Sequence, residues 1–219
     1  MTPESLIVTI DGPAGSGKSS VALQLAARLS GRRLDTGAMY RAFAFEALER
    51  EIEENHRELL HLAAAFSLEI DGDGRLLLGE KDVTDAIRSP EISSWASKLS
   101  VIPEVREALV PIQRRLARPG PTIAEGRDMG TVVFPDAPVK FYLTATPEER
   151  AKRRHDELTA RGTVVSFERV LADQIERDAR DENRAVAPLR PAPDAIIVDT
   201  TGMTLDGVVD HLIEIIRSI

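Results

Sequence analysis

Apolar positions along the chain switch repeatedly between two spacings. Leu6-Ile7-Val8-Thr9-Ile10 is a short, continuous apolar run of the length and β-branched content of a buried strand. Past it, Val21, Leu25 and Leu29 recur every four residues beside Ala22 and Ala26, which predicts a helix with one core face, ended by Gly31. A short strand at Arg33 to Asp35 leads into a helix reaching about Arg50, and Leu59, Leu62, Ala63 and Phe66 mark one face of the next segment. Between Ser67 and Val83 the pattern changes: SLEI and RLLL flank Asp71-Gly72-Asp73-Gly74, which reads as a β-hairpin. A hairpin cannot continue a parallel β-α-β winding. Residues from about 67 to 102 therefore read as an insert, including a helix opened by Ser89-Pro90 and interrupted before Pro103.

The chain is expected to re-enter the core with a helix around Val105 to Leu116, followed by buried strands at Thr122 to Glu125 and Val139 to Leu143. Thr146-Pro147-Glu148-Glu149 is a capping box with proline at the first helical position. Ala195 to Val198 supplies a last strand, and the closing helix is expected to bury Leu205, Val208, Val209, Leu212 and Ile216. Alternating strands and helices predict an α/β fold, a parallel sheet with helices on both faces.

Between the first strand and first helix lies GPAGSGKSS, residues 12 to 20, which matches GxxxxGK[ST] in the strand-loop-helix setting that gives the pattern its meaning. Glycines let the backbone curl so that successive N–H groups face one anion, and the helix start adds its positive dipole end. Lys18 would neutralise β and γ phosphates, and the Ser19 hydroxyl would join the shell of a magnesium ion. A plain turn between strand and helix does not require the Lys-Ser pair at this offset.

Composition narrows the second substrate. At 219 residues the chain holds one sizeable α/β core with room for an inserted subdomain. A net charge of -8 disfavours a nucleic-acid partner, which needs a continuous basic surface, whereas a small phosphorylated metabolite needs only a local basic pocket. Without cysteine there is no thiolate catalysis, disulfide or cysteine-held metal, and the four histidines show no ligand spacing. No basic-then-apolar leader and no run of membrane-spanning length appears, so a cytoplasmic protein without a membrane partner is expected.

In open α/β sheets ligands bind beyond the carboxyl ends of the strands, where the loop at 12 to 20, Asp35 to Arg41, EGRDMGT at 125 to 131 and the residues after the strand at 139 to 143 all fall. Arg177, Arg180, Asp181 and Arg184 are spaced to share one helical face with more positive than negative charge, and Arg150, Arg153 and Arg154 repeat the spacing on the preceding helix. An anionic ligand would explain both faces, where a surface ion-pair ladder would not need the excess. EGRDMGT at 125 to 131 places Arg127 and Asp128 between two glycines just past a buried strand. Glu125 either helps hold magnesium through water or pairs with Arg127, and the residues alone leave both open.

Taken together, GPAGSGKSS, LDTGAMYR, EGRDMGTVVFPDAPVKFYL and RDARDENRAVAPL resemble the bacterial cytidylate kinases, in order and over nearly the whole chain. The resemblance implies a single phosphate-loop kinase domain over 1–219, with an inserted monophosphate-binding subdomain at about 62–102, a helical lid at about 150–185, and transfer of the γ-phosphoryl group of ATP to CMP or dCMP with magnesium, in a monomer. It implies that Gly12, Pro13, Ala14, Gly15, Ser16, Gly17, Lys18, Ser19 and Ser20 bind ATP. By the same resemblance Ser97, Arg106 and Asp128 contact cytosine, Arg41, Arg127 and Arg184 hold the acceptor phosphate with Thr36 nearby, and Arg177 with Asp181 approach the ribose. Lys18, Arg127, Arg184 and Arg153 would stabilise charge on the passing phosphoryl group. Ala14 and Thr36 stand where the family commonly has serine; Thr36 keeps the hydroxyl and Ala14 does not. A guanine-nucleotide switch shares the phosphate loop, but the guanine-reading NKxD pattern is absent.

Overall fold

Strand β1 (Ile7–Asp11) is buried along nearly its whole length, because its neighbours flank it on both edges and helices cover its faces. The structure is a computed structural model that describes residues 6–52, 56–71, 74–117 and 120–218. β1 pairs in parallel with β6 (Thr122–Glu125) and β7 (Val139–Thr144), and β7 pairs in parallel with β8 (Ile196–Asp199). With β2 (Arg32–Asp35) beside β6, the sheet order is β2-β6-β1-β7-β8. Connections leave the central strand toward both edges, so the carboxyl end of β1 opens at the point where such sheets take their ligands.

Helix α1 (Lys18–Arg28) and helix α8 (Leu205–Ser218) pack on each other, and Val21, Leu25, Val209 and Leu212 join Val8, Ile10, Ile123, Val139, Phe141 and Leu143 in one apolar core. Each such side chain contributes roughly 1.5–3 kcal/mol on burial. Leu205, expected inside, is 43% exposed because it only begins α8, while Ile213 is buried. The end of α1 also differs from expectation. Ser30, at φ +51°, takes the left-handed position, with Gly31 N–H donating to Ala26 O at 2.8 Å and Ser30 N–H to Ala27 O at 3.3 Å. Gly31 is required for space instead: a Cβ there would lie 2.5 Å from Pro121 O. Helices α6 (Pro147–Ala160) and α7 (Phe167–Asn183) pack together, and Thr146 caps α6 by accepting from Glu149 N–H, but the other half of the predicted capping box is replaced: Thr146 N–H donates to Thr201 Oγ1 at 3.1 Å and the Glu149 carboxylate accepts from Arg153 instead.

The chain divides into two compact units, residues 1–33 with 119–219 and residues 34–118. The second holds α2 (Thr36–Glu49), α3 (His56–Ala65), a small antiparallel sheet, α4 (Pro90–Leu99) and α5 (Pro103–Leu116). It is wider than the 62–102 span, and α5, expected to re-enter the main core, packs on α3 and α2 here, with Val105 and Leu109 fully buried. The hairpin strands β3 (Glu69–Ile70) and β4 (Leu76–Leu78) pair antiparallel as expected, and β5 (Lys81–Asp82) adds a third strand too short and polar to show any periodicity. The predicted turn residues Gly72 and Asp73 lie outside the described residues. Phe43 and Phe66 meet edge-on at 5.2 Å. Ser89 caps α4 by accepting from Ile92 N–H at 3.1 Å, with Pro90 at the first helical position. Trp95 sits half-buried on α4 with the Lys98 ammonium 5.6 Å from its ring centre.

Candidate functional site

The loop after β1 is shaped by glycines in backbone conformations that other residues rarely adopt. Gly12 has φ +144°, and a Cβ on it would lie 2.0 Å from Leu143 O on β7. Gly17, at φ +86°, is the N-cap of α1, so the unpaired N–H groups of the first helical turn point into the loop. Ser16 Oγ donates to Pro13 O at 3.0 Å, while Ser20 is exposed on α1. Lys18 is buried, its Nζ donating to Pro13 O at 2.5 Å and to Ser16 Oγ at 3.2 Å. Burial, with the Arg127 and Arg177 guanidinium groups nearby, holds the Lys18 ammonium well below the usual lysine range against the opposing charges of Glu125 and Asp11.

Ser19 Oγ donates to Glu125 Oε2 at 2.7 Å, and Arg33 Nε donates to Glu125 Oε1 at 2.6 Å. Of the two partners considered for Glu125, Arg127 is not the one found. Arg33 takes that place, and no local pattern in the sequence marks it. Ser19 and Glu125 present two hard oxygens side by side, which suits magnesium, an ion that keeps most of its shell as water and phosphate oxygens. Among the described residues no cluster of three or more His, Cys, Asp or Glu offers an all-protein cage.

Past β6 the segment 125 to 133 turns sharply, with a π-helical turn at Met129–Val133. Asp11, the last residue of β1, fixes that turn: its two carboxylate oxygens accept from Met129 N–H and Gly130 N–H, each at 2.8 Å. Burial, reinforced by Asp128, pushes the Asp11 carboxyl up to about 6 despite those two bonds and the Lys18 charge. The turn sets Arg127 against Asp181, with Nε to Oδ2 at 2.9 Å, and Asp128 within 3.8 Å of Arg184 Nη2. Burial would raise the Asp181 carboxyl, but Arg127, Arg177 and Arg184 outweigh it and hold Asp181 below the usual carboxylate range.

The predicted arginine faces are only partly present. α7 stops at Asn183, so Arg184 does not share a helical face with Arg177 and Asp181; it is the C-cap, in extended backbone at φ -64° and ψ 141°, and its Nε donates to Ala187 O. Arg180 pairs with Glu176 at 2.7 Å on the surface, as a plain ladder would have it. On α6, Arg154 faces outward to Glu157 at 2.7 Å. Arg153 Nη1 and Nη2 donate to Thr200 Oγ1 and O at 2.9 and 2.7 Å, and its guanidinium passes 3.7 Å from where a Cβ on Gly17 would sit. Arg150 is buried and reaches the phosphate loop itself, donating to Ala14 O at 2.9 Å.

In the second unit, Asp35 caps α2 by accepting from Ala38 N–H at 2.8 Å and holds Arg41 at 3.3 Å, beside the buried Thr36. Ser97 and Arg106 are both buried and both tied to Ser100. The Ser97 carbonyl accepts from Ser100 Oγ at 2.8 Å, and Arg106 Nη1 donates to Ser100 O at 3.2 Å with its guanidinium 5.8 Å from the Tyr40 ring centre.

A family model described as cytidylate kinase matches residues 8–218. Among similar proteins, a cytidylate kinase of Shewanella loihica is 48% identical over 215 residues, covering 96% of this chain and 94% of that one. A cytidylate kinase of Carboxydothermus hydrogenoformans is 48% identical over 213 residues, covering 95% and 96%. A third, from Corynebacterium efficiens, is 48% identical over 220 residues, covering 98% and 96%.

Proposed function

We propose, from the premise that the chain belongs to the cytidylate kinase family, that it transfers the γ-phosphoryl group of ATP to CMP or dCMP. The observation that carries this reading is the Asp11 carboxylate. It ends the strand that feeds the phosphate loop and fastens the turn after Arg127 and Asp128 with both oxygens, which ties the loop and that turn together at neighbouring strand ends.

The loop at 12 to 20 cradles the ATP phosphates with the backbone N–H groups that follow Ala14 and with the start of α1. Lys18, whose ammonium is disfavoured by burial and by the neighbouring arginines, is favoured in that charged form by an arriving anion, so its charge is placed where the phosphates need it. Ser19, with Glu125 behind it, would hold magnesium, which when bound would neutralise charge on the phosphates. Arg41, Arg127 and Arg184 hold the acceptor phosphate near Thr36, and Arg177 with Asp181 approach the ribose. Ser97, Arg106 and Asp128 read cytosine, whose amino group needs acceptors and whose ring nitrogen and carbonyl need a donor. The acceptor phosphate is already anionic and needs no strong base, so Lys18, Arg127, Arg184 and Arg153 act by stabilising charge. Residues 62–102 serve the monophosphate and residues 150–185 close as a lid that keeps water from the donor.

No helix among the described residues is long and apolar enough to cross a membrane. We read the protein as a cytoplasmic monomer acting on these small molecules. ADP formation measured against CMP, dCMP, UMP, AMP and GMP tests the reading. CMP and dCMP should support turnover far above the others, and a preference for any other acceptor overturns it.

A further inference from the structure

We propose that Arg150 and Asp178 are positioning residues that set the phosphate loop by gripping the backbone of Ala14 from both sides. Arg150 Nη1 donates to Ala14 O at 2.9 Å, and Ala14 N–H donates to Asp178 Oδ1 at 3.4 Å. Arg150 also pairs with Asp178 Oδ2 and donates from Nε to Ala145 O at 3.1 Å. One guanidinium thus joins the residue after β7, the loop and α7.

Stability alone does not account for this arrangement. Arg150 and Asp178 are 6% and 8% exposed, and a buried ion pair is a weak source of stability that well-packed apolar residues often match or exceed. What apolar residues cannot do is hold the N–H and C=O of the half-buried Ala14 in one orientation. Position 14 is alanine, so no side-chain hydroxyl can orient the loop there, and its fixing falls to groups from outside.

The next residue shows how closely the two helices press on the loop. A Cβ on Gly15, at φ +76°, would lie 2.8 Å from Arg150 O and 2.8 Å from Gln174 Nε2. Gln174 Nε2 in turn donates to Arg150 O at 3.4 Å, linking α7 to α6. The loop therefore cannot shift without displacing both helices. Because Ala14 N–H is committed to Asp178, the N–H groups left to meet phosphate are those after it, and the clamp decides their aim. Asp178 brings a negative charge close to an anion site, and Arg150 cancels it, so losing Arg150 alone harms ATP handling more than losing both.

The inference rests on residues 12 to 20 being the ATP site. Steady-state kinetics of Asp178→Asn, Arg150→Met and the double variant Arg150→Met/Asp178→Leu, each with a thermal melt, test it. The expected result is a rise in KM for ATP of about tenfold or more with a fall in kcat, while KM for CMP stays within about twofold. Arg150→Lys, which keeps the charge but cannot make the same set of bonds, should recover part of the loss. If the single variants fail to fold, the double variant, whose apolar pair removes the buried charges together, carries the test. Folded variants with ATP kinetics unchanged, or with KM for both substrates raised equally, overturn the proposal. Lys18→Ala in the same assay separates the two levels: if it keeps its turnover, the ATP-site reading falls and takes the clamp with it.

Discussion

Ser19 and Glu125 share a hydrogen bond of 2.7 Å across 106 positions of sequence, from the first turn of α1 to the end of β6. The carboxylate is almost fully buried and its other oxygen is held by Arg33 at 2.6 Å, so its orientation is fixed before any ion arrives. Glu125→Gln keeps the shape and removes the charge. The magnesium concentration for half-maximal rate should rise by about 10- to 100-fold, the size usual when a metal's supporting group is lost. A magnesium titration of initial rate at saturating ATP checks it, and an unmoved midpoint removes Glu125 from the metal's surroundings.

Lys18→Ala should lower kcat by roughly 10² or more, because preorganised charge at the reacting phosphate is worth several kcal/mol. Its melting temperature should not fall. Burial disfavours its ammonium there, which offsets the two hydrogen bonds it makes within the loop. Turnover within a few-fold of the parent protein would refute the role.

For Arg127 the structure changes what a single substitution reports. Arg127→Ala leaves Asp181, whose side chain is 4% exposed, without its main partner, and breaking a buried pair costs about 3–5 kcal/mol. Stability and activity should therefore both drop. Arg127→Ala with Asp181→Ala should recover most of the stability and none of the activity. If the double variant regains turnover along with its melting temperature, Arg127 is only a packing element.

Asp11 gives a pH dependence of defined sign. Its folded carboxyl titrates near 6 against an ordinary value of 3.8. Between those values only the folded state keeps the proton, so the stability it supplies is complete below 3.8 and is lost as pH rises through about 6. At about 1.4 kcal/mol per pH unit the loss amounts to about 3 kcal/mol. Asp11→Asn cannot titrate. Urea unfolding from pH 4 to 7 should show the advantage of the parent protein over the variant shrinking by most of that amount, and a constant difference sinks the assignment.

Base choice provides the remaining test. Uracil presents a carbonyl where cytosine presents an amino group, and a carboxylate facing that carbonyl is repelled. Discrimination of CMP over UMP by up to about 10⁴-fold in kcat/KM is within reach of such a site. Asp128→Ala should compress it, chiefly by losing CMP activity. An unchanged ratio excludes Asp128 from reading the base.

Local chemistry was legible and distant pairing was not. The strand-loop-helix at 7–28 and the cap at Thr146 follow from adjacent residues, and the structure reproduces them. Gly31 was visible as a helix end, yet its reason is the Pro121 carbonyl, 90 positions away, and the left-handed residue is Ser30. Arg33, Asp11, Arg150 and Asp178 act through partners far along the chain, and periodicity carries no record of such contacts. Arg184 was misplaced on the helix because a spacing of seven matches a helical face whether or not the helix lasts that long. α7 ends one residue short.

Trp95 is the only tryptophan in the chain, and it lies on α4 in the unit formed by residues 34–118. Its emission, tuned by the Lys98 cation beside the ring, therefore reports on that unit. The phosphate loop belongs to the other unit and holds no indole. The protein thus carries a built-in optical probe in one of its two units, and the order in which two ligands perturb that light can be read without attaching a dye.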